Sequence, residues 1–135
     1  MYLLCHGARL EHVCHHGLHW PAASVIDTLL MINNFRDREQ DAISGKKTIV
    51  VRLGAKAGLI LYFLLGLAAC WCCFYFLEIG KIYAVLLPQL YLIPHILTTQ
   101  HMARIYRGKA LNGILGETSR NMLIFGLLLT LGLIL

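Results

Sequence analysis

The stretch Ala57-Gly-Leu-Ile-Leu-Tyr-Phe-Leu-Leu-Gly-Leu-Ala-Ala-Cys-Trp-Cys-Cys-Phe-Tyr-Phe-Leu77 decides the architecture. It holds 21 residues without a charge. As an α-helix it is about 31 Å long, enough to cross the hydrocarbon core of a bilayer. Ile82 to Gln100 is a second uncharged run, of 19 residues. Asn121 to Leu135 is a third, 15 long, which needs residues upstream to complete a crossing. Pro21 to Phe35 is a fourth, short and interrupted by Asp27. The expected fold class is therefore all-α: a multi-span transmembrane bundle of about four helices.

Composition agrees. Hydrophobic residues make up 58% of the 135-residue chain and charged residues 14%, with a mean hydropathy of +0.65. Soluble domains carry about 25% charged residues. Of the 12 Lys and Arg, six lie between Arg36 and Lys56 and four between Arg104 and Arg120. The turn between the two long apolar runs holds only Glu78 and Lys81. By the positive-inside rule both basic stretches face the cytoplasm, and the Glu78–Lys81 turn and the C-terminus lie outside. The expectation is an integral protein of the cell's inner (plasma) membrane. The net charge of +5 reflects these loops. It does not point to nucleic acid, because no basic stretch is interleaved with aromatics on a soluble domain.

The cysteines do not read as a disulfide set. Cys70, Cys72 and Cys73 fall within an apolar span, where cysteine behaves as a small hydrophobe. Residues 1 to 20 are unlike the rest and hold five of the seven histidines. His12, Cys14, His15, His16 and His19 have the residue types of a transition-metal site. The preferred reading is an atypical leader, disordered or the product of a misread or truncated frame, ahead of a membrane domain over 21–135. Pro21 suits the first turn of a helix. Ser44-Gly45 should break that helix, and Thr48 should begin a short extended piece or a new helix. Pro88 and Pro94 should bend the third helix.

Chemistry concentrates where the first apolar run ends, in Asn33-Asn34-Phe-Arg36-Asp37-Arg-Glu-Gln-Asp41 followed by Gly45-Lys46-Lys47-Thr48. Residues four apart share a helix face, so Asp37 and Asp41 can address one target, with Asn33 a turn earlier. Two carboxylates and an amide oxygen form a hard oxygen site suited to Mg²⁺ carrying a phosphate ligand. Lys46 and Lys47 can neutralise that phosphate, or simply mark a cytoplasmic loop. Arg104, Tyr106, Arg107 and Lys109 read as a lid over a cavity or as a plain basic loop, the latter preferred. His95 and Gln89 read as substrate contacts or as packing groups, the latter preferred, and Asn112 as a helix cap or a site residue. Trp71, Phe74, Tyr75 and Phe76 suit an interfacial aromatic belt.

This motif, with Val51-Arg52-Leu53-Gly54 after it, resembles the second aspartate motif of the UbiA-type membrane prenyltransferases, most closely the 1,4-dihydroxy-2-naphthoate polyprenyltransferase branch. Tyr106-Arg107, Leu111-Asn112 and Thr118 agree, and the resemblance covers about residues 27 to 135. It implies the C-terminal portion of a larger helical bundle, in which two aspartate motifs face each other across a cavity. No Asn-Asp-x-x-Asp arrangement precedes Asn33, so the chain alone is expected not to catalyse transfer. The resemblance further implies that polyprenyl diphosphate ionises with Mg²⁺, and that the aromatic acceptor captures the allylic cation and loses CO₂, as in menaquinone biosynthesis. Asp37 and Asp41 would be the catalytic, metal-holding pair. Asn33, Asn34, Arg36, Lys46 and Lys47 would bind substrate, with membrane lipid as the surrounding partner. Two alternatives stand beside it: a UbiA-type enzyme with another acceptor (4-hydroxybenzoate, haem or a glycerol phosphate), and a small non-catalytic membrane protein.

Overall fold

Helix α1 runs from Tyr2 to Ile43 and carries the acidic motif on its last turns. This is a computed structural model; it describes the backbone of residues 2–135 and the side chains of residues 17–135. The His12, Cys14, His15 and His16 side chains of the proposed metal cluster lie outside the described residues. Pro21 was expected to open a helix, but it sits inside α1. It is buried, and packing against neighbouring helices lets α1 continue through a position that would break an isolated helix. The buried stripe Val25, Thr28, Ile32, Phe35 follows the helical repeat.

Ser44 and Gly45 end α1, with Gly45 at φ 77°. Short helix α2 (Ile49–Leu53) follows, capped by Thr48, whose Oγ1 accepts from the Val51 N–H at 3.3 Å. Gly54 turns the chain at φ 88° into α3 (Ala55–Cys72), which tightens into a 3₁₀ segment over Cys73–Ile79. After Gly80 come α4 (Ile82–Gln89) and α5 (Leu92–Ile105). The break between α4 and α5 at Leu90–Tyr91 meets the expectation of a proline bend, with Pro88 in the last turn of α4 and Pro94 in the first of α5. Helix α6 (Leu111–Ile134) completes the third apolar run upstream, as its length required. No strand occurs among the described residues.

Three helical stretches among the described residues are long and apolar enough to cross a membrane: Ala55–Ile79, Ile82–Ile105 and Leu111–Ile134. The fourth span expected at Pro21–Phe35 is not among them, because Asp27 and the polar residues from Asn33 onward interrupt its apolar run. Leu64, Leu86, Leu97, Leu123 and Leu127 lie exposed on these stretches, as lipid-facing side chains do. Inside, small residues allow close approach. A Cβ at Gly132 would lie 2.5 Å from the Tyr83 carbonyl oxygen and 2.6 Å from Ala84 Cα, so α6 crosses α4 nearly backbone to backbone.

Gly66 on α3 makes room for the His95 ring, which a Cβ at 66 would overlap. His95 stacks against Tyr62 (centroids 4.9 Å) and Tyr91 (5.2 Å). Its Nε2 meets the Phe63 carbonyl at 3.3 Å and its Nδ1 the Tyr91 hydroxyl at 3.0 Å. A carbonyl only accepts, so Nε2 carries the proton and Nδ1 accepts from Tyr91. The packing role expected for His95 is the one observed. Gln89 also packs, donating through Nε2 to the Cys70 and Val85 carbonyls. Asn121 donates to Thr98 Oγ1 at 2.9 Å, while its buried Oδ1 has no partner.

Candidate functional site

The three crossings alternate in direction. They bring the end of α1, the 44–54 segment and the 106–110 loop to one end of the bundle. Phe35, fully buried, is the pivot: its ring packs edge-on to Tyr106 with centroids 6.0 Å apart. Beside it opens a cavity of about 740 Å³ lined by residues 36–40 of α1, Arg107, Gly108, Lys109 and Asn112. A second cavity, about 580 Å³, lies near the other end of the bundle among Trp20, Trp71, Phe74 and Tyr75. Exposed Trp71, Phe74 and Tyr75 fit the expected aromatic belt there, whereas Phe76 is buried in the core.

Within the first cavity Arg36 grips its neighbour Asp37 at two points, Nε to Oδ1 at 2.6 Å and Nη2 to Oδ2 at 2.7 Å. This hydrogen bonding holds the Asp37 carboxyl below its ordinary value and raises the Arg36 guanidinium; partial burial opposes both shifts. Arg36 Nη1 also donates to Asn112 Oδ1 at 3.3 Å, linking α1 to the start of α6. Asp41, four residues on, is buried, and Lys46 Nζ lies 3.3 Å from its Oδ1. The Lys46 N–H donates to the Asp41 carbonyl at 2.9 Å, folding the Gly45 turn back over that carboxylate.

The expected residues therefore divide. Arg36 and Asp37 line the cavity. Asp41 and Lys46 form a pair beside it. Asn33 and Asn34 lie half-buried one turn before Asp37, and Lys47 is exposed. Arg38 was not singled out as a site residue, yet its Nη1 donates to the Phe35 carbonyl at 2.6 Å and its Nη2 to the Tyr106 carbonyl at 2.7 Å. Its guanidinium also lies over both rings, 4.5 Å from the Phe35 centroid and 5.2 Å from that of Tyr106. Arg107 Nε lies 3.5 Å from Glu39 Oε1. Arg107 and Lys109, preferred above as a plain basic loop, line the cavity, and so does Asn112. The available signal was the recurrence of basic residues after each apolar run; the pairing across 68 positions was not in it.

The donor set fits Mg²⁺ of a particular kind. Among the described residues no group of three or more His, Cys, Asp and Glu could cage a metal alone. Magnesium, however, is commonly held by one or two carboxylates with phosphate oxygens and water completing the octahedron. Asp37 supplies such a carboxylate at the cavity wall and Asp41 a second one, buried beside it, each compensated in this structure by a cation of the chain itself.

An all-helical integral membrane protein with an acidic motif at the rim of a polar cavity is the class that fold and site define. The chain is 34% identical over 111 residues, 79% of its length, to the 1,4-dihydroxy-2-naphthoate octaprenyltransferase of Haemophilus influenzae. It is thus homologous over most of its length to a UbiA-type enzyme, as the acidic motif indicated. The chain spans 35% of that enzyme's length. No family model matches the chain, and no solved structure matches it significantly.

Proposed function

We propose that this chain forms the acidic-motif portion of a membrane prenyltransferase that moves a polyprenyl group from polyprenyl diphosphate to 1,4-dihydroxy-2-naphthoate, in menaquinone biosynthesis. The observation that carries the reading is the identity to the Haemophilus enzyme. A matched stretch of that length within 135 residues necessarily contains Asn33 to Thr48. The active-site loops would face the cytoplasm from the inner membrane.

Transfer breaks the bond between the allylic carbon and diphosphate oxygen, and the electron pair leaves on the diphosphate. The ring carbon that bears the carboxylate supplies the pair for the new C–C bond, and CO₂ departs to restore the aromatic ring. Mg²⁺, when bound, would neutralise charge on the leaving diphosphate. Asp37 and Asp41 would hold it, with Asn33 and Asn34 about one turn earlier on α1. The two-point grip of Arg36 fixes the Asp37 carboxylate in one orientation before substrate arrives, which lowers the reorganisation needed in the reaction. Arg36, Lys46 and Lys47 would contact the diphosphate oxygens.

The test is prenyl transfer in membranes that contain the chain together with an N-terminal complement of the Haemophilus enzyme. Mg²⁺, polyprenyl diphosphate and labelled 1,4-dihydroxy-2-naphthoate should yield prenylated product. Equal transfer by a chain carrying both Asp37→Asn and Asp41→Asn overturns the reading.

A further inference from the structure

We infer that the 106–110 loop is a second, basic wall of the diphosphate site: Arg107 and Lys109 contact the phosphate oxygens, and Arg38 is the positioning residue that aims them. The identity of the anion rests on the transferase reading above; the site itself rests on the cavity. Four cationic side chains (Arg36, Arg38, Arg107, Lys109) and two anionic ones (Asp37, Glu39) line it. The surplus favours a multiply charged anion. Arg36 is committed to Asp37 and Arg38 to two backbone carbonyls. Arg107 meets only the exposed Glu39, at 3.5 Å, a weak contact in water. Lys109 has no carboxylate within ion-pair reach among the described residues. Arg107 and Lys109 are therefore the least engaged of the cavity's cations.

The backbone beneath them is strained, which supports a binding role. Tyr106 is the one non-glycine residue among those described with positive φ (55°, with ψ −32°). The Arg107 N–H reaches back to the Ile105 carbonyl at 2.6 Å, closing a three-residue turn around Tyr106. Such turns are uncommon, and they persist where the surroundings over-determine them, as at ligand clamps. Here the surroundings are Arg38, whose planar fork bonds the Tyr106 carbonyl and whose face covers the Tyr106 ring. Lysine at 38 would keep the charge and lose both contacts.

The experiment measures binding of inorganic pyrophosphate to the 135-residue chain in phosphatidylcholine nanodiscs by calorimetry, first without Mg²⁺ and then with it. Arg107→Gln/Lys109→Gln should bind about tenfold or more weakly without Mg²⁺, because two charge-assisted contacts are lost. Arg107→Lys/Lys109→Arg should restore most of that affinity. Arg38→Lys should lose as much affinity as Arg38→Gln while helicity and thermal midpoint stay at wild-type values, which a role as mere charge or scaffold does not predict. Wild-type affinity in the Arg107→Gln/Lys109→Gln variant, or no pyrophosphate binding by the wild-type chain, overturns the assignment. So does a variant that loses association with phosphatidylglycerol vesicles but keeps pyrophosphate, since the anion would then be a lipid headgroup. The two readings separate through Mg²⁺. If Asp37→Asn and Asp41→Asn lose the Mg²⁺-dependent gain while the loop variants bind normally, the metal site stands and the loop assignment falls. If the loop variants lose binding and the aspartate variants keep the gain, the reverse holds.

Discussion

Arg36 and Asp37, adjacent on α1, form an ion pair at two points, 2.6 and 2.7 Å. Neighbouring residues on a helix point about 100° apart, so both side chains must bend toward each other to meet. The hydrogen bonds from Arg36 lower the folded-state pKa of Asp37. A carboxyl lowered on folding adds stability above its unfolded value, near 3.8, and the gain is lost as pH falls through the folded value. Arg36→Ala should move the Asp37 titration upward, read by carboxyl ¹³C shifts in detergent. An unmoved titration would mean that the pair does not persist in solution.

Both aspartates should matter to catalysis and Glu39 should not. In a complete enzyme containing this segment, Asp37→Asn or Asp41→Asn should lower transfer by about 10²-fold or more at saturating Mg²⁺ and prenyl diphosphate, since an amide cannot replace a charged ligand. Glu39→Gln removes only an exposed partner of Arg107 and should stay within a few-fold of wild type. The 135-residue chain purified alone should show no transfer. An inactive Glu39→Gln beside active aspartate variants would require a different register for the motif.

Two glycines of α6, one packed and one open, give contrasting stability predictions. Gly132→Ala places a methyl against backbone atoms of Tyr83 and Ala84, which cannot rotate away. It should cost about 1–3 kcal/mol, as overpacking does, measured by unfolding in mixed micelles. Gly126→Ala meets nothing within 4 Å and should be neutral or slightly stabilising through helix propensity. Equal effects at both positions would contradict the close α4–α6 crossing.

Orientation is tested at Lys81, beside the turn at Gly80. In a cysteine-free background, Lys81→Cys should react with an impermeant thiol reagent from outside the cell, and Lys47→Cys only after the membrane is opened. The expectation rests on the basic residues clustering at the opposite end. Reaction of Lys81→Cys only after opening would invert the topology.

Much of the fold was legible because lipid simplifies the code: uncharged length marks a crossing, and glycine and proline mark its interruptions. Gly45, Thr48 and the Pro88–Pro94 bend fell where local chemistry put them. Pro21 did not, because tertiary neighbours can carry a helix through a position that local rules treat as a start. In the site, spacing singled out Asp37 and Asp41, and the resemblance singled out Arg36. Arg38 was not, because its significance lies in Tyr106, 68 residues away, and in a backbone angle that no side-chain pattern announces.

The fit between Gly66 and the His95 ring has a consequence for how this protein can change. Neither residue can drift alone. Any side chain at 66 occupies the space of the imidazole, and a smaller group at 95 leaves a void and strips the Tyr91 hydroxyl of its acceptor. Natural variants with bulk at 66 should therefore carry a compact residue at 95. The two positions, on separate helical stretches, should vary together.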